Sequence, residues 1–304
     1  MNLVTNITEA KETLLQAITF GAFHRAEEFK HAYHYTSLSG LKGILDSSEF
    51  YLTEYHYLND MEEFEYVDRL LWEVLEEELS ASSKWDVFKA AVERQLHVCR
   101  TQTLKPEESF YVLSFSQQRD NLTLWAEFAS YGCNFKVNPY SIFEGSVLVH
   151  SVIYDKEEQL EVVRSCIRYS LENFYEYVDV EHPLPLAQLL DVFNVEIMEC
   201  AAECIVKLVE YYGMLIKNSL YEAEKEFRIV FSGKGRDIHY RMKENLLIPY
   251  IKLPLPKHID WFGKQVTLAP LNHDEACRNS IQSYLYSQGY ENVEVCFSDI
   301  HLRY

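Results

Sequence analysis

The chain has 304 residues, with 47 acidic and 28 basic side chains, for a formal charge of −19. Hydrophobic residues make up 48%, enough for a sizeable core, so a disordered chain is excluded. A duplex-binding protein carries a basic stripe, and no Lys/Arg run here exceeds two, so long duplex nucleic acid is disfavoured as a partner.

Glycine is scarce, at 10 residues, and neither G-x-G-x-x-G nor a Walker loop occurs, so any nucleotide must be held without a glycine-rich cradle. The seven cysteines are odd in number and form no C-x-x-C. With no signal-peptide pattern at the start, they lead us to expect a reducing cytoplasm. No apolar run approaches the roughly 18 residues of a membrane span.

In chain order, Asn6 and Glu9 form a capping box that opens a helix to about Phe20, within an N-terminal region of residues 1–30. A strand follows at Ala32 to Tyr35. Thr36 and Ser37 then precede Leu38, Leu41, Ile44 and Leu45 at helical spacing. Phe50 to Thr53 alternates as a strand does. Asp60 and Glu63 open a long helix with Phe64, Val67, Leu71, Val74 and Leu75 inward, and a second helix spans Lys84 to Cys99. Phe110 to Phe115 reads as a strand, and Asn121 caps a helix ending at Gly132. Strands follow at Cys133 to Val137 and Ser146 to Ile153.

Lys156 to Tyr177 and Leu186 to Tyr212 are long helical patterns that read as an insertion, at about 156–212, in a single domain of residues 31–304. Strands return at Lys225 to Phe231, Leu247 to Ile251 and Gln265 to Leu268. A helix at Asp274 to Gln288 and a strand at Val293 to Phe297 close the chain. Strands and helices are mixed without regular alternation, which predicts α+β with a mixed, mostly antiparallel sheet.

The stretch Glu224-Lys225-Glu226-Phe227-Arg228 carries the most chemistry. Read as a strand, it places Glu224, Glu226 and Arg228 in a row on one face. Adjacent carboxylates disfavour each other's ionisation and a guanidinium favours it, an arrangement used in acid/base and cation-stabilising chemistry. The plain alternative is a polar strand face laced by Glu–Arg pairing. His34, at a strand end before a helix, is either a satisfied structural histidine or a group reaching a cleft. Ser114 and Ser116 end a strand but lack a nucleophile elbow, which speaks against a serine hydrolase. Trp125 is either core or an aromatic platform.

Together these pieces resemble a bacterial family labelled domain of unknown function 2971. The motifs are Tyr33-His34-Tyr35-Thr36-Ser37, Leu41 to Leu45, Leu58-Asn59-Asp60, Leu113-Ser114-Phe115-Ser116, Leu124-Trp125-Ala126 and Glu224-x-Glu226-Phe227-Arg228. Phe297-Ser298-Asp299-Ile300-His301-Leu302-Arg303 is similar to that family's terminal Ser-x-Ile-Pro-x-Arg, with His301 in place of the proline.

A weaker likeness is to the opening of ADP-ribosyltransferase folds, in which a strand-end His-Tyr-Thr-Ser precedes a helix. That likeness implies NAD as substrate, Glu226 as catalytic carboxylate and His34 on the ribose. It implies support from Tyr35, Thr36, Ser37, Ser114, Ser116, Trp125, Glu224 and Arg228, with no metal. Transfer of ADP-ribose to a protein or nucleic acid, or hydrolysis of NAD, is then expected, in a toxin or phage-defence role by analogy. Two other readings stay open: a non-catalytic binding or regulatory module, and a nucleic-acid-cleaving or glycosidase site built on the carboxylates.

Overall fold

The computed structural model describes residues 31–58, 62–101, 105–142, 148–178, 184–243, 245–256 and 261–301. The helix expected near residues 6–20 and the Asn59-Asp60 pair lie outside them. In chain order the elements are β1 (Ala32–Thr36), α1 (Leu38–Ser47), β2 (Glu49–Glu54), α2 (Glu62–Leu79), α3 (Trp85–Thr101), β3 (Phe110–Ser116), α4 (Leu122–Phe128), β4 (Cys133–Val137) and β5 (Leu148–Ser151). There follow α5 (Lys156–Glu172), α6 (Leu186–Val192), α7 (Val195–Gly213), β6 (Glu226–Ser232), β7 (His239–Lys243), β8 (Leu246–Pro254), β9 (Phe262–Leu268), α8 (Glu275–Ser287) and β10 (Glu294–Phe297). The protein is α+β, and among the described residues its strands pair antiparallel except β9 with β10.

The chain forms two compact units. In the helical unit, α2 and α3 are gathered with α5, α6 and α7, so the helices between 156 and 213 share one body with those between 62 and 101. The apolar spacing explains why. Val67, Leu71, Val74 and Leu75 recur along one stripe of α2 and are buried, as are Ala201, Ala202, Ile205, Leu208 and Val209 of α7. Gly213 lets α7 end against α2, since a Cβ there would lie 2.9 Å from a Val67 methyl. The single helix expected at Leu186 to Tyr212 is broken at Phe193 and Asn194. The Asn194 side chain accepts from Ile197 N at 2.8 Å and so starts a new helix.

The second unit holds the sheet. Ten strands run in the order β10-β9-β4-β1-β3-β2-β8-β7, with β6 on the other edge of β3 and β5 beyond it. β3 is the hub. β6 pairs with its whole length, from Phe110↔Ser232 to Ser116↔Glu226. Along its opposite edge β2 takes Tyr111 and Val112, while β1 takes Ser116 alone. The sheet therefore forks between β1 and β2. One face of it is apolar: Ala32, Phe50, Leu113, Phe115, Phe135, Phe227 and Ile229 join Leu41 and Leu45 of α1 and Ile281 and Leu285 of α8 in one core.

One local expectation changes, and one strand was not foreseen. Gly132 does not end a helix: α4 stops at Phe128, and Gly132 instead permits a close backbone approach, a Cβ there falling 2.2 Å from the Thr36 carbonyl oxygen. β7 carries no strong apolar alternation and is found only through its pairing with β8. Among the described residues no helix is long and apolar enough to cross a membrane.

Candidate functional site

The register of β3 with β6 decides which side chains meet. Residues directly opposite in an antiparallel pair share a face. Ser114 faces Arg228 and Ser116 faces Glu226. β5 sets His150 against Arg228, and β1 sets Tyr33 against Ser116. One sheet face thus carries Glu226, Arg228, Ser114, Ser116, Tyr33 and His150.

Glu226 and Arg228, two apart on β6, are joined at two points. Nε of Arg228 donates to Glu226 Oε1 at 2.9 Å and Nη2 to Oε2 at 3.1 Å. The forked geometry fixes the orientation of the carboxylate. Glu226 is 8% exposed and Arg228 2%. The Tyr33 phenol is raised above its ordinary range by burial, against an opposing pull from the Arg119 charge.

Glu224 is not on the strand. It closes a 3-10 turn over Ser219–Glu224, and Lys225 follows in left-handed backbone at φ 43° before β6 begins at Glu226. The expected row of Glu224, Glu226 and Arg228 is thereby corrected to the pair Glu226 and Arg228. The kink resets the side-chain alternation, and Glu224 is buried beside the strand entrance. Its carbonyl accepts from Ser116 Oγ at 2.5 Å, and Ser116 Oγ also accepts from Gln118 N at 2.9 Å. The Ser116 hydroxyl is therefore committed to holding that entrance.

The structure does not bring His34 to Glu226. Its ring lies among Phe50, Phe115 and Phe135, with centroids 5.4, 5.4 and 5.5 Å away. Phe115 stacks on Phe227 at 5.0 Å, on the face opposite the one Glu226 occupies. His34 Nδ1 donates to the Ser114 carbonyl at 3.2 Å. At this point β1 has left β3 and β2 has not yet joined it, so the imidazole occupies the fork and satisfies a carbonyl no neighbouring strand takes. Burial lowers its pKa to about 4, against a smaller opposing pull from the Ser114 hydrogen bond, so the ring is neutral at pH 7. This geometry is that of a structural histidine.

Most other expected ligand groups are also committed elsewhere. Ser37 caps α1, accepting from Gly40 N at 3.0 Å. Thr36 ends β1 on the His34 side of the alternation, and a Cβ on Gly40 would lie 2.1 Å from its hydroxyl. The Tyr35 hydroxyl donates to the Gln118 carbonyl at 2.8 Å and accepts from Asn121 N at 3.2 Å. Its ring meets Trp125 edge-on at 4.7 Å.

Trp125 is 2% exposed, and its Nε1 donates to Asp120 Oδ1 at 2.6 Å. It is a core anchor and not an open platform. Asp120 also accepts from Ser298 Oγ and Asp299 N, both at 2.6 Å. That gives Ser298 and Asp299 a role in pinning the segment after β10 to Asp120, just before α4.

Tyr33 and His150 were missed by the sequence reading. Strict alternation puts Tyr33 opposite in sense to His34, and that signal was available. His150 reaches the face only through the pairing of β5 with β6, across most of the helical unit in sequence, and no local pattern announces it. Among the described residues no group of three His, Cys, Asp or Glu side chains is placed to hold a metal ion. All seven cysteines are free, and burial pushes Cys133 and Cys166 up to about 12.

No family profile, no curated protein and no solved structure matches this chain. Any functional reading rests on the residues themselves.

Proposed function

We propose that this protein acts on NAD through an ADP-ribosyltransferase-like site on the Glu226 face of the sheet, transferring ADP-ribose to a macromolecule or to water. The observation that carries the reading is the Glu226 carboxylate, fixed by two Arg228 hydrogen bonds on a face that also offers Ser114, Tyr33 and His150. The order of motifs, and a forked sheet whose late strand carries the acid, support it.

In the reaction the bond between nicotinamide and the ribosyl carbon breaks, and nicotinamide leaves with the bonding pair. Positive charge builds on the ribose, and an acceptor hydroxyl or water adds with loss of a proton. A preorganised carboxylate facing that charge stabilises the transition state more than the ground state. In this reading His150, across from Arg228 and with its Nδ1 bonded to the Ser151 carbonyl at 2.6 Å, takes the acceptor's proton on its other ring nitrogen. His34 has no part in this version of the site. A toxin or phage-defence effector would use such chemistry, and seven free thiols fit a reducing cytoplasm.

A second reading, a non-catalytic binding module on the same fold, is favoured by one observation: the Glu226–Arg228 pair is almost wholly buried. Nicotinamide release from NAD by the purified chain, beside Glu226→Asp, separates the two. Aspartate keeps the charge opposite Arg228 but withdraws the carboxylate by one methylene. The enzyme reading expects release by the native chain and a fall of roughly 10²–10³ in the variant, at little cost in melting temperature. No release by the folded native chain sinks it and leaves the module.

A further inference from the structure

The loop between β3 and α4 lays Arg119 against the polar face of the sheet, and its backbone is held at three points. Gln118 N donates to Ser116 Oγ at 2.9 Å, the Gln118 carbonyl accepts from the Tyr35 hydroxyl at 2.8 Å, and the Arg119 carbonyl accepts from Asn134 Nδ2 at 2.5 Å. Asn134 is opposite Tyr35 in the register of β1 with β4, on the face that carries Tyr33 and Glu226. Burial raises the Tyr33 phenol and the Arg119 charge pulls it back, which places the guanidinium near that hydroxyl. Among the described residues the Tyr33 hydroxyl makes no hydrogen bond.

The guanidinium itself pairs with the Asp299 carboxylate. The plain reading of that pair is a clasp on the segment after β10. Asp120 already supplies the clasp, through Ser298 Oγ and Asp299 N. The Asp299 side chain is 78% exposed, and an exposed pair of this kind is worth little and exchanges readily. Asp120, whose charge also reaches Arg119, spends its two oxygens on Trp125 Nε1, Ser298 Oγ and Asp299 N. A guanidinium on a pinned loop, beside an unbonded phenol, presents the rigid fork that matches a phosphate. Tyr33 lies two strands from Glu226, roughly 10 Å between backbones. A ribose carrying a 5′-diphosphate spans such a gap, with its C1′ at the carboxylate and its phosphates at the guanidinium.

We infer that Arg119 and Tyr33 bind the diphosphate of the dinucleotide whose ribose meets Glu226, and that Asp299 is the internal anion this diphosphate displaces. The identity of the diphosphate rests on the NAD reading. The phosphate site itself does not.

The test titrates the full chain with ADP-ribose and with inorganic pyrophosphate by calorimetry, beside nicotinamide release from NAD. Arg119→Gln should weaken both titrations about tenfold or more and raise KM for NAD more than it lowers kcat. Tyr33→Phe should weaken them about threefold. Asp299→Asn should strengthen both about threefold, a gain that misfolding cannot produce. Glu291→Gln, which removes an exposed acid before the start of β10, should leave both unchanged. Absence of binding of either probe, native titrations in Arg119→Gln, or equal effects of Asp299→Asn and Glu291→Gln would overturn the inference. Nicotinamide release with a native KM in Arg119→Gln would overturn it too, and leave the NAD reading standing. Pyrophosphate binding that Arg119→Gln abolishes, in a chain that neither binds ADP-ribose nor releases nicotinamide, would uphold the phosphate site and sink the NAD reading.

Discussion

The two faces of β3 hold the two groups with the clearest chemical promise, and they hold them in opposite ways. On one face His34 is neutral, ringed by three phenylalanines, and spends its Nδ1 proton on a backbone carbonyl. On the other, Glu226 is held by a charged neighbour among hydroxyl and imidazole groups. Both are titratable residues on strands of one sheet, and in the sequence they look equally available. Hydrogen bonding and the identity of the facing side chains, more than burial, separate a group that maintains the fold from the one proposed to do chemistry.

The largest expected effect comes from removing the charge on the polar face. Glu226→Leu leaves Arg228 buried without its two-point partner and should cost about 3–5 kcal/mol, measured by urea unfolding at pH 7. A cost below about 1 kcal/mol would mean that the pair is solvated and the contrast between the faces overstated.

The apolar face should respond to pH. The His34 pKa is about 4 in the folded chain against about 6.5 unfolded. Between those values the unfolded state binds more protons, so stability is full above pH 6.5 and falls as pH drops toward 4, by up to about 3 kcal/mol. His34→Gln keeps a donor for the Ser114 carbonyl and removes the titration. Urea midpoints at pH 4.5, 5.5 and 7 should therefore lose their His34-dependent slope in the variant. An unchanged slope would place the ring in water.

A smaller effect is expected at the junction between the two faces and the end of the chain. Trp125→Phe keeps most of the buried area but removes one donor from Asp120, at about 1 kcal/mol. Hydrogen exchange should rise at Ser298 to Ile300, which Asp120 also holds. The smallest stability effect belongs to Ser114→Ala, within about 0.5 kcal/mol, because that residue is half-buried. If NAD binds there, the same variant should still change nicotinamide release.

Much of the fold was legible. Capping residues located the starts of α1 and α4: Ser37 and Asn121 each accept from the first turn as their chemistry requires. Apolar periodicity located α2 and α7. What it could not supply was which strands pair. The fork at β3, the seat of His150 opposite Arg228 and the assembly of α2 and α3 with α5 and α7 are long-range facts with no local signature.

Glu224 failed for a different reason. A single left-handed residue, Lys225, ends the turn and resets the alternation, and lysine gives no warning of positive φ. His34 was read as open because a strand-end histidine before a helix start is compatible with a cleft. Its three phenylalanine neighbours come from three other strands.

The most direct measurement compares one variant from each face: nicotinamide release from NAD by the native chain, Glu226→Asp and His34→Gln, at pH 7 and at temperatures where all three are folded by circular dichroism. The account predicts release by the native chain, a loss of roughly 10²–10³ in Glu226→Asp and near-native release in His34→Gln. Loss in His34→Gln with native turnover in Glu226→Asp would contradict it, and would place the chemistry on the face assigned here to the core.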